Sequence, residues 1–258
     1  MNVTTRPGPD RLRIRELTLG FGKRVIQRNL NFSVGRGSIF AIMGGSGSGK
    51  STVMKALVGL LQPMAGSVMV DDEDYWGAPE ERRIEIGRRF GVLFQSGALW
   101  SSMSVAENVA LPMQMFTRLD DAAVAALVHL KLSLVGLGTA GDKMPSELSG
   151  GMRKRAALAR ALALDPDILF FDEPSAGLDP ITSKRLDDLI LELRAGLGAT
   201  VILVSHELPS LFAICDDGVF LDADTRTAIA FGSPRSLRDT CDHPTVRAFM
   251  ERARPATT

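Results

Sequence analysis

Apolar and polar residues alternate in short runs along the first seventy positions, which is the pattern of β-strands. The runs are "LRIRELTLGFG", "RVIQRNLNFSV", "GSIFAIMG" and "GSVMVDD". Between the last two, "GKSTVMKALVGLL" places apolar residues three and four positions apart, which predicts an amphipathic helix. The residues on its apolar face are Val53, Met54, Leu57, Val58 and Leu61. The run "FGVLFQ" then predicts a further buried strand.

The pattern becomes helical over residues 101–164, with alanine-rich stretches such as "DDAAVAALVHLKLSLVGL". Strand-like runs return as "DILFFDEP" and "ATVILVSHE", and an amphipathic helix separates them. Asp179 and Pro180 are a good cap and first-turn pair for that helix, which is expected to end between Gly196 and Gly198. A hairpin, "GVFLDADTRTAIAFG", and a short helix, "PTVRAFMER", follow. Strands alternating with helices predict an α/β fold with a mostly parallel sheet, interrupted by a helical insert.

Composition narrows the possible partners. The chain has 258 residues, 45% hydrophobic and 23% charged, which is ample apolar material for a core. Thirty basic and thirty acidic residues leave a formal net charge of +0, so we expect no nucleic-acid partner. Cys215 and Cys241 lack metal-ligand spacing and fit reduced thiols. No apolar run reaches the roughly 18 residues of a membrane-spanning helix, so work at a membrane would require a membrane-bound partner.

A glycine-rich turn lies between a predicted strand and a predicted helix. Residues 44–51, "GGSGSGKS", fit the pattern G-x-x-x-x-G-K-[ST]. Glycines let successive N–H groups turn toward phosphate oxygens, and the helix N-terminus adds partial positive charge. Lys50 is expected to reach the β- and γ-phosphates, and Ser51 to ligate Mg²⁺. The predicted ATP-binding residues here are Gly44, Gly45, Ser46, Gly47, Ser48, Gly49, Lys50, Ser51 and Thr52.

Two adjacent carboxylates complete a candidate hydrolytic site. In "ILFFDE", four apolar residues predict a buried strand that delivers Asp172 and Glu173 at its C-terminal end, where open α/β sheets bind ligands. Asp172 would hold Mg²⁺ through water. Glu173 is suited to accept a proton from an attacking water, which makes it the candidate general base.

A second glycine turn opens another helix in "SELSGGMRKRAALARAL". Its "LSGGM" resembles the signature motif, usually LSGGQ, of the ATP-binding-cassette (ABC) ATPases. Gln95 in "LFQ" resembles the family's Q-loop, "SAGLD" its D-loop, and His206 in "VSHE" its switch histidine. Phe21 occupies the position where the family places an aromatic residue against adenine. These motifs occur in family order along nearly the whole chain, so the chain is identified as a member by resemblance.

The resemblance implies a P-loop NTPase core of the ABC-ATPase type. This core has a mostly parallel sheet, an N-terminal antiparallel β subdomain and an inserted α-helical subdomain. We therefore expect one ABC ATPase domain over residues 1–258. Its predicted parts are a nucleotide-binding core (12–98 and 165–240), a helical signature subdomain (99–164), and a C-terminal helix and tail (241–258).

The resemblance also explains why one domain would carry two glycine turns. In this family the signature serves the ATP of a partner subunit in a head-to-tail homodimer. Ser149, Gly150 and Gly151 would present a hydroxyl, N–H groups and a positive helix end to that γ-phosphate. Asp179 would cross the dimer interface, and Met152 stands where glutamine is usual.

Two further residues acquire catalytic roles from the resemblance. His206 would contact the γ-phosphate and orient the attacking water. Gln95 would touch Mg²⁺ or the water and link the site to the helical insert. ATP and Mg²⁺ are thus the expected ligands.

Longer sequence strings around these motifs indicate a subgroup of the ABC ATPases. "LFQSGALW", "MPSELSGGM" and "FDEPSAGLDPIT" resemble the Mla-type ATPases of MCE-protein lipid transport systems, and the signature methionine fits them. The resemblance implies an ATPase subunit at the cytoplasmic face of a bacterial inner membrane that powers transport of phospholipid or another hydrophobic molecule. Its implied partners are an integral-membrane permease dimer, an MCE protein and, in some systems, a small STAS-domain protein.

Three other readings compete with this one. The ATPase of a polar-solute importer would carry much the same motifs. A non-transport cassette protein of DNA repair or translation would need a long coiled coil or a second cassette, and neither is present in the sequence. A P-loop kinase would have no use for the signature turn.

Two apolar surfaces have alternative interpretations. The segment "SGALWSSMSVAENVALPM" is expected to receive the permease's coupling helix or, equally, to form the core of the insert. Its candidate groove residues are Trp100, Met103 and Val105. The helical stripe of Val246, Phe249 and Met250 either docks on a neighbouring subunit or small partner, or packs on its own domain.

Overall fold

The computed structural model describes residues 10–251, so the tail predicted beyond them lies outside the described part. Four strands near the N-terminus form one sheet in the order β2-β1-β4-β5, and every pairing in it is antiparallel. Its strands are β1 (Asp10–Phe21), β2 (Arg24–Gly35), β4 (Ala65–Val70) and β5 (Glu73–Asp74). This sheet confirms the antiparallel part of the expected fold.

Six strands form the second sheet, in the order β10-β9-β3-β8-β7-β6. They are β3 (Ile39–Gly44), β6 (Phe90–Leu93), β7 (Ile168–Asp172), β8 (Thr200–Val204), β9 (Asp217–Leu221) and β10 (Ala228–Phe231). Five are mutually parallel, and β10 pairs antiparallel with β9 as the predicted late hairpin. Because β3 neighbours β8 and β7 neighbours β8, the turns that follow these three strands meet at one edge of the sheet.

Helices connect many of these strands and follow the last one, β10. They are α1 (Lys50–Leu57), α2 (Glu80–Gly87), α3 (Val105–Phe116), α4 (Asp121–Leu134), α5 (Gly150–Ala161), α6 (Pro180–Leu197), α7 (Leu208–Ile214), α8 (Pro234–Thr240) and α9 (Pro244–Met250). The predicted helical insert corresponds to α3, α4 and α5, together with a 3₁₀ turn at Pro145–Glu147. Ser104 and Glu107 form a capping box at the start of α3, and Asp120 caps α4. Asp179 caps α6 and Gly198 ends it in a left-handed conformation, as the sequence predicts.

The parallel sheet separates two apolar cores. Along β3, the side chains of Ile39, Ala41 and Met43 enter one core and those of Phe40 and Ile42 enter the other. The first core joins the sheet to the insert helices and to α6 and α7. The second joins it to α1 and the antiparallel sheet. The insert therefore shares its core with the sheet, which keeps the signature helix α5 in direct contact with the nucleotide-binding part.

Charged side chains tie the two sheets together at the ends opposite the glycine turns. Arg11 on β1 and Arg89 before β6 both donate to Asp71 after β4, at 2.7 and 2.5 Å. The same two arginines also donate to Asp167 before β7. Burial raises the pKa of Asp71, but Arg89 and Arg11 outweigh burial and hold this pKa below its ordinary value.

Candidate nucleotide-binding site

The first glycine turn joins β3 to α1 and has a backbone that needs glycine. Gly44, Gly47 and Gly49 have φ angles of 147°, 76° and 85°. A Cβ atom on Gly44 would lie 2.3 Å from the carbonyl oxygen of Leu221, and one on Gly49 would lie 2.8 Å from the Ile26 side chain. The turn is therefore fixed by both conformation and close packing. It leads into the N-terminus of α1, where unpaired N–H groups suit a phosphate.

Lys50 lies inside this turn. Its Nζ donates to the carbonyl oxygens of Gly44 and Gly45, at 2.9 Å each. Burial lowers the pKa of Lys50, while the carboxylates of Glu173 and Asp172 oppose that effect. The ammonium group is thus held at the mouth of the turn, facing the acidic pair.

Asp172 ends the fully buried strand β7 and faces α1. Its Oδ1 accepts a hydrogen bond from the Ser51 hydroxyl at 3.2 Å. Burial is the main cause that raises the pKa of Asp172 above its ordinary value. Among residues 10–251 no group of three or more His, Cys, Asp or Glu side chains is placed so that it could hold a metal ion. A hydroxyl and one buried carboxylate are nevertheless the oxygen ligands that fit Mg²⁺, which usually takes its remaining ligands from water and phosphate.

Glu173 follows directly, and its backbone turns sharply. Its φ of 50° lies in the left-handed region, and its N–H donates to the Val204 carbonyl at 2.8 Å. Its carboxylate lies 2.7 Å from Nδ1 of His206 and also accepts the His206 backbone N–H at 3.4 Å. The carboxylate is nearly buried, whereas the His206 side chain is 59% exposed. This pair combines a nearly buried carboxylate with an accessible imidazole.

These groups surround one cavity of about 560 Å³. The predicted site residues that line it are Gly44, Gly45, Ser46, Gly47, Gly49, Lys50, Ser51, Thr52, Gln95, Glu173 and His206. Ser48 is buried behind the turn. The structure thus brings the glycine turn, Gln95, Glu173 and His206 together, as the motifs predict for a single site.

Sequence reasoning missed three neighbours of the cavity. Ile26 and Phe249 line it. Gln27, fully buried, donates from Nε2 to the carbonyl oxygens of Ser48 and Asp222, and so supports the glycine turn from behind. The signal that could have identified Gln27 is that a polar residue occupies an inward-facing position of β2.

One of these neighbours, Phe249, belongs to the apolar stripe near the C-terminus. Val246, Phe249 and Met250 are buried within the chain, and the Phe249 ring packs edge-on against Phe220 at 5.1 Å. Packing on its own domain is therefore the alternative that the structure supports for this stripe. No feature of the sequence indicated that Phe249 of this stripe would line the cavity.

Seven predicted residues do not line the cavity of their own chain, and two of them, Ser48 in the glycine turn and Asp172 at the end of β7, are buried. The other five lie at the surface of the chain or are half-buried. Phe21 is 55% exposed at the end of β1. Ser149 and Gly150 are exposed and Gly151 is half-buried at the start of α5, where the Ser149 hydroxyl accepts the N–H of Met152. Asp179 is exposed, and its carboxylate caps α6 by accepting the N–H groups of Ile181 and Thr182 and the Thr182 hydroxyl. The second glycine turn therefore presents its helix N-terminus outward.

The family of the chain follows from comparison with known proteins. Residues 27–176 match the sequence model described as ABC transporter, and this match spans more than half of the chain. The chain belongs to the ABC transporter family. It is an ATP-binding-cassette ATPase, as the order of its motifs implies. Among residues 10–251, the structure contains no helix with the length and apolar character needed to cross a bilayer.

Several relatives are similar over nearly the whole chain. The intermembrane phospholipid transport system ATP-binding protein MlaF of Escherichia coli K12 is 43% identical over 238 residues, which cover 92% of this chain and 87% of MlaF. The probable ribonucleotide transport ATP-binding protein mkl of Mycobacterium leprae is 39% identical over 239 residues, covering 93% of this chain and 68% of mkl.

A solved structure has the same fold. The ATP-binding cassette MJ0796, in a dimeric post-hydrolysis state bound to ADP and Pi, superposes with a TM-score of 0.79 at 27% identity. The superposition covers 85% of this chain and 97% of MJ0796. The expected α/β architecture is confirmed.

Proposed function

We propose that the chain is the ATP-hydrolysing subunit of a bacterial transporter that moves phospholipid or another hydrophobic molecule between envelope membranes. The observation that carries the hydrolytic part is the cavity shared by Lys50, Glu173 and His206. The similarity to MlaF supports phospholipid or another hydrophobic molecule as the transported cargo.

The predicted residues of the cavity have distinct roles in this proposal. The N–H groups of the glycine turn and Lys50 bind the phosphates of ATP. Glu173 accepts the proton of a water molecule that attacks the γ-phosphorus, and burial shields its carboxylate from bulk water. His206, paired with Glu173 at 2.7 Å, orients that water and contacts the γ-phosphate. Gln95 lines the same cavity, where it would contact Mg²⁺ or the attacking water and link the site to the helical insert.

Ser51 and Asp172, with Gln95 nearby, would hold Mg²⁺. The Ser51 hydroxyl and the Asp172 carboxylate already lie 3.2 Å apart on α1 and β7. The cation would neutralise charge on the β- and γ-phosphates. The raised pKa of buried Asp172 fits a carboxylate that gains from a nearby cation.

The outward position of the second glycine turn supports a head-to-tail homodimer. Ser149, Gly150 and Gly151 open α5 away from the cavity of their own chain and leave its N-terminus accessible. A partner subunit's ATP placed there would meet a hydroxyl, N–H groups and the positive end of a helix. Phe21 would stack on adenine, and Asp179 would contact the partner from its position at the start of α6.

A groove near α2 supports permease docking. A cavity of about 720 Å³ lies between α2, β6 and α3, with Phe94 at the start of the Q-loop on its wall. Aromatic and basic residues line it, among them Tyr75, Trp76, Arg88, Phe116 and Arg160.

Such a groove fits the apolar face of a short helix with acidic flanks. The residues singled out from the sequence do not line this groove. Val105 is fully buried in the insert core, whereas Trp100 is 58% exposed outside the groove lining. The permease helix is therefore proposed to dock in the groove.

An MCE protein beyond the membrane, and in some systems a small STAS-domain protein, complete the proposed assembly. Binding to the permease would hold this chain at the cytoplasmic face of the inner membrane. The relative named for ribonucleotide transport supports one alternative cargo, a polar solute. Both alternatives use the same ATPase site.

The proposal is tested by isolating the assembly. The chain is tagged as Glu173→Gln and extracted from its native membrane with mild detergent and ATP, with the wild-type chain in ADP as control. A permease, an MCE protein and phospholipid that copurify are the expected result. A permease with a solute-binding protein would assign the chain to polar-solute import instead. Recovery without any membrane protein would refute the transport assignment and leave the ATPase site in place.

A further inference from the structure

A buried lysine on the signature helix contacts the turn that carries Glu173. Lys154 lies in the second turn of α5 and is 8% exposed. Its Nζ donates to the carbonyl oxygen of Ala176 at 2.5 Å and to that of Glu173 at 3.3 Å. A lysine is rarely buried without a specific reason, because removing its charge from water is costly.

The turn that Lys154 contacts is conformationally strained. Glu173 has a φ of 50°, which is unfavourable for a residue with a Cβ atom. The Ala176 N–H closes the turn on the Glu173 carbonyl at 3.2 Å. Without a further contact, the backbone of Glu173 could relax toward the ordinary region, and its carboxylate would then leave His206. Two charge-assisted hydrogen bonds from one ammonium group oppose this relaxation.

Lys154 also connects two parts of the machinery. It lies four residues after Gly150, roughly 6 Å along the same helix. The charges around its ammonium are the carboxylates of Glu173 and Glu207, which favour its charged form against the effect of burial. Lys154 thereby connects the start of α5, which is proposed to contact the partner's ATP, to Glu173, the proposed general base of its own chain.

We propose that Lys154 is a positioning residue for hydrolysis, which holds the Glu173–Ala176 turn so that the Glu173 carboxylate faces His206 and the cavity. This inference rests on the proposed role of Glu173 as the base. Lys154 does not line the nucleotide cavity, and acts through the two carbonyl oxygens it contacts.

The test compares Lys154→Met with Arg155→Met in the full chain, in the complex that copurifies with it. Arg155 is a matched control, because it lies on the same helix but donates to the carbonyl oxygens of Val135 and Gly136 in the insert. Lys154→Met should lower kcat at least about tenfold while KM for ATP stays within about twofold. Arg155→Met should keep kcat. Lys154→Gln, which retains an N–H donor, should give an intermediate kcat.

A double-mutant cycle separates positioning from general destabilisation. In a Glu173→Gln background, Lys154→Met should cause no further loss in single-turnover hydrolysis, because the group it positions is already disabled. An additive loss, a kcat of Lys154→Met equal to wild type, or an equal fall for Arg155→Met would each overturn the inference. If Lys154→Met does not fold, Lys154→Gln decides instead, and wild-type kcat would overturn the inference. Normal turnover of Glu173→Gln alone would refute the role of the base, which is a separate result.

Discussion

Nδ1 of His206 lies 2.7 Å from Oε1 of Glu173, and the two residues follow the ends of adjacent parallel strands. Glu173 comes directly after β7 and His206 lies two residues beyond the end of β8. Because parallel strands end at the same edge of a sheet, residues 33 positions apart in sequence meet beside the glycine turn. The pair therefore places a carboxylate and an imidazole side by side in the lining of the cavity.

Replacing the base should separate binding from hydrolysis. Glu173→Gln preserves the shape of the side chain but removes its capacity to accept a proton. We expect steady-state hydrolysis to fall by about 10²–10⁴-fold while ATP binding persists and an ATP-bound dimer accumulates. Glu192→Gln, at an exposed position on α6, is the control and should keep wild-type turnover. Hydrolysis rate, ATP binding and molecular mass in solution are the measurements, and normal turnover in Glu173→Gln would exclude this residue as the base.

A mixture of two inactive variants tests the composite site. Ser149→Arg damages the half-site offered to the partner, and Lys50→Ala damages the chain's own phosphate turn. Each variant alone should lose hydrolysis, but Ser149→Arg should still bind ATP. Mixed dimers contain one interface with an intact Lys50 and an intact Ser149, so mixing the two should restore part of the activity. A mixture that stays inactive, although mixed dimers are detected by differential tags, would contradict the composite site.

The sequence predicted the positions of the main elements because their signals are local. Alternation of apolar residues predicted the strand before the glycine turn, and a run of four apolar residues predicted the strand before Asp172. Asp179 with Pro180 marked the start of α6 correctly. The glycine turn was predictable for the same reason, since residues 44–51 carry both the conformation and the chemistry of the site.

The contacts that support the site were not predictable in this way. Gln27 and Lys154 donate to backbone carbonyl oxygens, and a carbonyl acceptor leaves no trace in the identity of its residue. Phe249 belongs to a stripe that was recognised, but only tertiary packing brings it to the cavity. The groove near α2 was not predicted, because residues as far apart in sequence as Tyr75, Phe116 and Arg160 come together there only in the folded chain.

The arginine cluster predicts a pH-dependent stability. Folding lowers the pKa of Asp71, so its contribution is complete above its unfolded pKa of about 3.9 and is lost as pH falls through the lower folded value. Asp71→Asn should lower the free energy of unfolding by about 1–3 kcal/mol at pH 7. The difference from wild type should shrink as pH falls below about 4. Denaturant unfolding at several pH values measures it.

Asp188→Asn is the control for that experiment. Asp188 pairs with Lys184 on α6, but the two side chains are 53% and 74% exposed. Asp188→Asn should lower the free energy of unfolding by less than about 1 kcal/mol. If Asp71→Asn costs no more than Asp188→Asn at pH 7, the cluster does not tie the sheets together.

The groove predicts which substitutions separate the chain from its permease. Phe116 ends α3 on the wall of the groove, 38% exposed, with the Arg88 guanidinium over its ring at 5.0 Å. Phe116→Ser removes apolar surface that a docked helix would bury, so recovery of the permease should fall about tenfold or more. Leu191→Ser is matched in exposure, at 37%, and lies on α6 outside the groove. ATP binding should be unchanged in both variants, because neither residue lines the nucleotide cavity. Equal permease recovery with Phe116→Ser and Leu191→Ser would move the docking surface elsewhere. Selective loss of the permease with Phe116→Ser would support docking in the groove.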